Sequence, residues 1–114
     1  MAPTTLPGQV TVTSPYGRRP ETEGHPIRMS ELLSTLDGAA YIERVSLHDI
    51  KHIRQAKKAI KKAFEYQIAK KGFTMVEVLS TCPTNWGMTP VESLEWVRDK
   101  MIPYYPLGIK KEAE

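Results

Sequence analysis

The chain reads as an α/β protein: a βαβ portion of a larger parallel sheet, preceded by a long irregular N-terminal segment. Three observations predict this. Ile50, Ile53, Ala56, Ile60, Ala63, Phe64 and Ile68 recur at intervals of three and four, marking one face of a long amphipathic helix. Runs of strand-forming residues at 40–47 and 73–80 flank that helix. The first 27 residues hold five of the nine prolines and three of the seven glycines, with no helical or strand period.

Taken in order, residues 1–28 cannot form a core alone, and a structureless run of this length inside a domain is uncommon. They are expected to lie on a surface supplied by a missing or partner element. Leu32, Leu33 and Leu36 then predict a short helix from Met29, stopped by Gly38. Tyr41, Ile42 and Val45 mark the first strand, and Asp49 opens the long helix, which Gly72 ends. The second strand carries Met75, Val76, Val78 and Leu79, apolar on both faces as in a buried parallel strand. Thr89, Pro90 and Glu92 supply a cap, a first helical residue and a capping-box carboxylate for a helix over 90–101, with Val91, Leu94, Val97 and Met101 inward and Pro103 as its stop. Residues 104–108 read as irregular and 110–114 as a polar tail, so the partial α/β domain spans 29–109.

The two strands and their crossover helix form a right-handed βαβ unit. Two parallel strands bury too little apolar surface to offset the entropy of ordering the chain. The sheet is therefore expected to continue in another segment or another chain.

At 114 residues, with 40% hydrophobic and 25% charged residues, the chain has the size and composition of one small domain. No apolar run is long enough to span a bilayer and no secretory signal pattern is present, so a cytoplasmic location is expected. One cysteine makes no internal disulfide and no CxxC pair, which excludes a disulfide framework, a structural zinc site built on cysteines and a redox dithiol. The net charge of +3 is uneven: residues 49–71 hold eight basic side chains against Asp49 and Glu65, a local +6, which leaves −3 elsewhere.

Chemistry-bearing residues concentrate in the loop Ser80-Thr81-Cys82-Pro83-Thr84-Asn85-Trp86-Gly87, directly after the second strand. The Cys82 thiol would be a nucleophile if His25, His48 or His52 served as its base. Nothing in the sequence places a histidine beside it, and a half-buried loop cysteine or a subunit contact is the simpler account. The lysines of the long helix lie mostly opposite its apolar face without interleaved aromatics, as on a solvated surface; a surface for an acidic protein or for nucleic acid is the sharper reading. Glu77, mid-strand in an apolar run, calls for a partner, and Arg44 on the neighbouring strand can supply it. Trp86, Tyr104 and Tyr105 read as packing or interface aromatics.

Met1-Ala2-Pro3-Thr4-Thr5, Tyr41-Ile42-Glu43-Arg44-Val45, the stretch from Glu77 to Gly87, and Met101-Ile102-Pro103-Tyr104-Tyr105-Pro106-Leu107-Gly108 together resemble the thiamine-diphosphate-binding beta subunit of 2-oxoacid:ferredoxin oxidoreductases. Among its members the 2-oxoglutarate and branched-chain 2-oxoacid types are most similar. The resemblance covers almost the whole chain but only the C-terminal part of that subunit, so the fold it implies is the C-terminal βαβ portion of a thiamine-diphosphate-binding parallel-sheet domain. The family's Gly-Asp-Gly segment and following Asn, which hold magnesium and the diphosphate, have no match here. A Thr-Gly-Gly-Gln stretch would precede Ala2, which makes Met1 read as an internal methionine.

The resemblance implies CoA-dependent oxidative decarboxylation of a 2-oxoacid, with iron–sulfur clusters on other subunits and ferredoxin as electron acceptor. The chain alone is expected to be inactive. No catalytic residue and no metal ligand carries over. Pro3, Thr4 and Thr5 remain as candidates to line the cofactor, and Cys82, Pro83, Thr84, Asn85 and Trp86 as subunit contact or site wall. The expected partners are the rest of the subunit and the other oxidoreductase subunits, with no membrane and no nucleic acid. The alternative from another class is a small basic binding module without catalysis, acting on an acidic protein or nucleic acid.

Overall fold

The computed structural model describes residues 2–113, so the expectations for Met1 and Glu114 lie outside the described residues. Short helices α1 (Pro20–Glu23) and α2 (Met29–Leu33) lead into strand β1 (Ala39–Ser46). Helix α3 (Ile50–Ile68) then crosses to strand β2 (Phe73–Leu79), which pairs in parallel with β1, placing Arg44 beside Glu77. The predicted βαβ unit is present.

Asp49 starts α3 by accepting the backbone N–H of His52 at 2.8 Å, a side-chain cap for an otherwise unpaired donor. Beyond β2 come α4 (Pro83–Trp86) and α5 (Pro90–Trp96), the latter opened by the complete capping box of Thr89 and Glu92. One face of the sheet packs Val45, Val76 and Val78 on Ala56 and Ala59 of α3. The other face carries Leu79 against Val97, Met101 and Tyr105.

Four features depart from the sequence reading. Residues 104–114 are not all irregular: Gly108–Glu112 forms a third strand, β3, antiparallel to β1, so the sheet is mixed in the order β2-β1-β3. Its Lys110, Lys111 and Glu112 are poor strand formers, and they pair because β1 offers an open edge. Nor does Pro103 end the helix at Met101. A π-helical turn (Val97–Met101) widens the chain so that the N–H of Ile102 reaches the carbonyl of Val97, and helix α6 (Ile102–Tyr104) runs through the proline. Such a turn accommodates a residue that can neither donate to nor pass close to the carbonyl four back.

The N-terminal segment finds part of its surface within the chain. Leu6 joins Leu79, Val97, Met101 and Tyr105 in the core. Arg18, 7% exposed, donates to the carbonyls of Ala2, Thr5 and Gly24 at 3.1, 3.1 and 2.9 Å, and to those of Pro3 and His25 at 3.3 Å. Finally, the apolar face of α3 is only partly covered. Ala56 and Ala59 are buried, whereas Ile50, Ile60, Phe64 and Ile68 are exposed. Three strands are too narrow to cover a helix of 19 residues.

Gly72 brings the end of the crossover within reach of Gly38, whose carbonyl accepts the N–H of Phe73 at 3.0 Å. A Cβ on Gly72 would stand 2.6 Å from that carbonyl oxygen, and its φ of 140° disfavours any side chain. Gly87, in the left-handed region at φ 67°, has open space around it. Gly72→Ala is expected to lower stability by about 2–3 kcal/mol, strain plus clash, and Gly87→Ala by about 1 kcal/mol. Urea midpoints of the two variants check the ordering.

Candidate functional site

The C-terminal end of β2 runs into Ser80, Thr81 and Cys82, and α4 folds back because Pro83 suits its first turn and Gly87 closes it in the left-handed conformation. The N-terminal segment meets this loop from outside: the N–H of Val12 donates to the carbonyl of Asn85 at 2.9 Å. Between them lies a cavity of about 300 Å³. It is lined by Ala2, Thr4, Thr5 and Gln9 of the N-terminal segment, by Glu77–Cys82, Asn85 and Trp86 of the strand and its loop, and by Met101.

The expected cofactor-lining and wall residues thus converge in part. Thr4, Thr5, Cys82, Asn85 and Trp86 share one cavity, while Pro3, Pro83 and Thr84 do not line it. Thr5 is buried and Thr4 half-buried. The carbonyl of Thr4 accepts from the Tyr105 hydroxyl at 3.1 Å, and burial pushes the pKa of that phenol up to about 12, so it remains a donor. Tyr105 is therefore core, as expected of a packing aromatic; Tyr104 stacks edge-on against it and lies 4.1 Å beneath the Arg28 guanidinium. Gln9 has no marker in the sequence. It is placed by its side-chain carbonyl, which accepts the N–H of Leu6 at 2.9 Å.

Cys82 is exposed rather than half-buried, and no histidine lines its cavity. His48 bonds Ser46 Oγ at 2.8 Å through Nδ1 and faces Asp49 through Nε2 at 3.3 Å; His52 bonds Asp49 through Nδ1 at 2.6 Å. These three groups lie close enough together to hold a metal ion, but their hydrogen bonds to one another and to the start of α3 account for the arrangement.

Glu77 has the predicted partner and more. Arg44, with none of its side chain exposed, donates from Nε to Glu77 and from Nη1 to Glu31 at 2.9 Å and to the Pro106 carbonyl at 3.0 Å, beside the Tyr105 ring. Burial disfavours the guanidinium charge, but the hydrogen bonds it donates to Glu31 and Glu77, together with their negative charges, outweigh burial and raise the Arg44 pKa. Arg44 in turn holds the Glu31 carboxyl below its ordinary range.

Among the described residues the cavity contains no lysine or arginine, and its only carboxylate is committed to Arg44. Its hydroxyls, carboxamides, thioether and indole suit an uncharged heteroaromatic ring. They offer no counter-charge to a diphosphate and no free carboxylate to a magnesium ion.

Arg44→Met would strand Glu77 in the sheet and is expected to cost about 3–5 kcal/mol. Glu31→Gln, at the more exposed limb, should cost about 1 kcal/mol or less. Chemical denaturation of both variants measures the difference. Burial first, then neighbouring His52, holds His48 below its ordinary pKa. The unfolded chain therefore binds that proton more readily, and the contribution of neutral His48 is intact above about pH 6.5 and lost as pH falls through the lower folded value. The melting temperature should accordingly drop between pH 7.5 and 5, and drop less steeply in His48→Gln.

No protein-family model matches the chain, and no solved structure matches it either. Curated relatives do. Ketoisovalerate oxidoreductase subunit VorA of Methanothermobacter thermautotrophicus is 49% identical over 107 residues, which cover 94% of this chain and 22% of the relative. The same subunit of Methanothermobacter marburgensis gives the same figures. 2-Oxoglutarate synthase subunit KorB of Methanocaldococcus jannaschii is 30% identical over 109 residues, 83% of this chain and 36% of the relative. The chain thus spans between about a fifth and about a third of the length of these relatives. Matched over most of its own length by subunits of two such enzymes, and carrying the motifs that resemble them, the chain belongs to the family of 2-oxoacid oxidoreductase subunits.

Proposed function

We propose that the chain is the C-terminal part of the thiamine-diphosphate-binding beta subunit of a 2-oxoacid:ferredoxin oxidoreductase, and that it supplies one wall of the cofactor site. The observation that carries this reading is the meeting of Thr4 and Thr5 with Cys82, Asn85 and Trp86 around one cavity at the C-terminal end of β2. Open parallel sheets place their ligands at that end.

When bound, thiamine diphosphate supplies the decarboxylation chemistry. The chain's part is to bind and orient. Trp86 and Met101 present apolar surface to a ring, Thr4, Thr5 and Asn85 present hydrogen-bonding groups beside it, and Leu6 closes the core behind it against water. The diphosphate and its magnesium are held by residues outside this chain, since no cation and no uncommitted carboxylate lines the described cavity. Cys82 has no base beside it and serves as wall or subunit contact. Ferredoxin, coenzyme A and the iron–sulfur subunits are the partners of the assembled enzyme, which has a cytoplasmic location. No helix among the described residues is long and apolar enough to cross a membrane.

In the assembled oxidoreductase, Thr4→Ala and Asn85→Ala should each raise the thiamine diphosphate concentration for half-maximal activity about tenfold, the worth of one hydrogen bond of about 1.4 kcal/mol. Cys82→Ala should leave turnover unchanged. Unaltered cofactor saturation in both the Thr4 and Asn85 variants, or decarboxylation by the 114-residue chain alone, would overturn the assignment.

A further inference from the structure

A second and larger cleft, about 630 Å³, opens where α3 covers β1 and β3 lies beside it with Ile109 47% exposed. One wall is a stripe of α3 at intervals of three and four, His52, Gln55, Ala59 and Lys62, with Lys58 next to it. The other wall is β1 and the start of β3, where Glu43 pairs across the strands with Ile109. One end is closed: Lys62 is ion-paired with Glu112, and the Tyr66 hydroxyl donates to the same carboxylate at 2.8 Å.

The charges in this cleft do not all find partners. Lys62 is met by Glu112, and Arg44 by Glu31 and Glu77. Glu43, half-buried on β1, accepts a hydrogen bond from the Tyr41 hydroxyl but faces no cation in an ion pair among the described residues, and Lys58 likewise makes no ion pair among them. A half-buried carboxylate without a counter-charge is a costly group to keep. Between these two charges the walls are apolar, with Val45, Ala59, Leu107 and Ile109.

This pattern selects its ligand by exclusion. A bare anion is attracted by Lys58 and repelled by Glu43; a bare cation meets the reverse. A molecule carrying both charges finds an opposite charge for each. We propose that the cleft binds a small zwitterion with an apolar side chain, an α-amino acid of the leucine type, with its ammonium on Glu43, its carboxylate on Lys58 and Gln55, and its side chain against Leu107 and Ile109. An α-amino acid differs from the corresponding 2-oxoacid in bearing an amine where the oxoacid has a carbonyl, so Glu43 is the group that tells the two apart. In a chain of the 2-oxoacid oxidoreductase family, such a site reads the aminated counterpart of an oxoacid. The cleft shares no lining residue with the cavity between Thr4 and Asn85, and the inference is independent of thiamine.

Isothermal titration of the 114-residue chain at pH 7 with L-leucine should show one site with a Kd on the order of 1 mM or below. 4-Methyl-2-oxopentanoate, which lacks the ammonium, and 3-methylbutylamine, which lacks the carboxylate, should each bind at least about tenfold more weakly. Glu43→Gln, which keeps an acceptor for Tyr41, and Lys58→Met, at an exposed position of α3, should each weaken leucine about tenfold. Lys57→Met, at an exposed cation of α3 outside the cleft, should leave its affinity unchanged. Far-UV circular dichroism checks that each variant is folded; should Glu43→Gln fail that check, the Lys58 variant and the two analogues decide. Absence of saturable leucine binding, equal affinity for the oxoacid or the amine, or unaltered affinity in folded Lys58→Met overturns the inference. So does displacement of leucine by inorganic phosphate at equal concentration, since the cleft is then an anion site. Cofactor saturation in the assembled enzyme is read separately, so a failure here is distinguishable from failure of the thiamine assignment.

Discussion

A guanidinium cut off from water must be given acceptors from several directions at once, and in this chain Arg44 receives them from Glu77 on the adjacent strand, Glu31 on α2 and the carbonyl of Pro106. Each contact fixes a different piece. The Glu77 pair fixes the register of β1 and β2, the Glu31 pair docks α2 on the sheet, and the Pro106 bond sets the approach of the chain into β3. A buried ion pair contributes little net stability against an apolar replacement, but its geometry discriminates strongly among arrangements. Here that discrimination extends to the cavity, because Glu77 lines it and Tyr105, beside Arg44, carries the Thr4 carbonyl.

The elements legible in the sequence are those whose signal is local. The three- and four-residue spacing from Ile50 to Ile68 and the Asp49 cap marked α3 within a residue or two; Thr89, Pro90 and Glu92 marked the start of α5; Arg44 and Glu77 were paired by adjacency of strands. What escaped depends on tertiary context. Lys110, Lys111 and Glu112 become a strand only because β1 has an edge to give, and the π-helical turn before Pro103 is a response to packing of Val97 and Met101 as much as to the proline. Arg18 left no trace because its five acceptors are main-chain carbonyls, which every residue possesses.

The site was legible in a different way. Periodicity could place Cys82, Asn85 and Trp86 in a loop at a strand end, but only the family resemblance linked them to Thr4 and Thr5, about 80 residues away in the chain. Gln9 was invisible because its role is to hold Leu6, and Met101 because it reads equally well as core, which it also is. The exposed flank of α3 reverses the lesson: the sequence correctly marked an apolar face, and the chain by itself does not cover it.

The contacts of Arg18 give the cavity a mechanical property. The guanidinium grips carbonyls at 2, 3 and 5 on one side and at 24 and 25 on the other, so two stretches of chain some twenty residues apart share one fastening. Releasing either stretch leaves the buried guanidinium short of acceptors. Ala2, Thr4 and Thr5, the outer wall of the cavity, are therefore held as one panel by this fastening, by the Tyr105 hydroxyl on the Thr4 carbonyl and by the seating of Leu6, and the free energy of exposing the cavity interior is set by these contacts rather than by the sheet ladder.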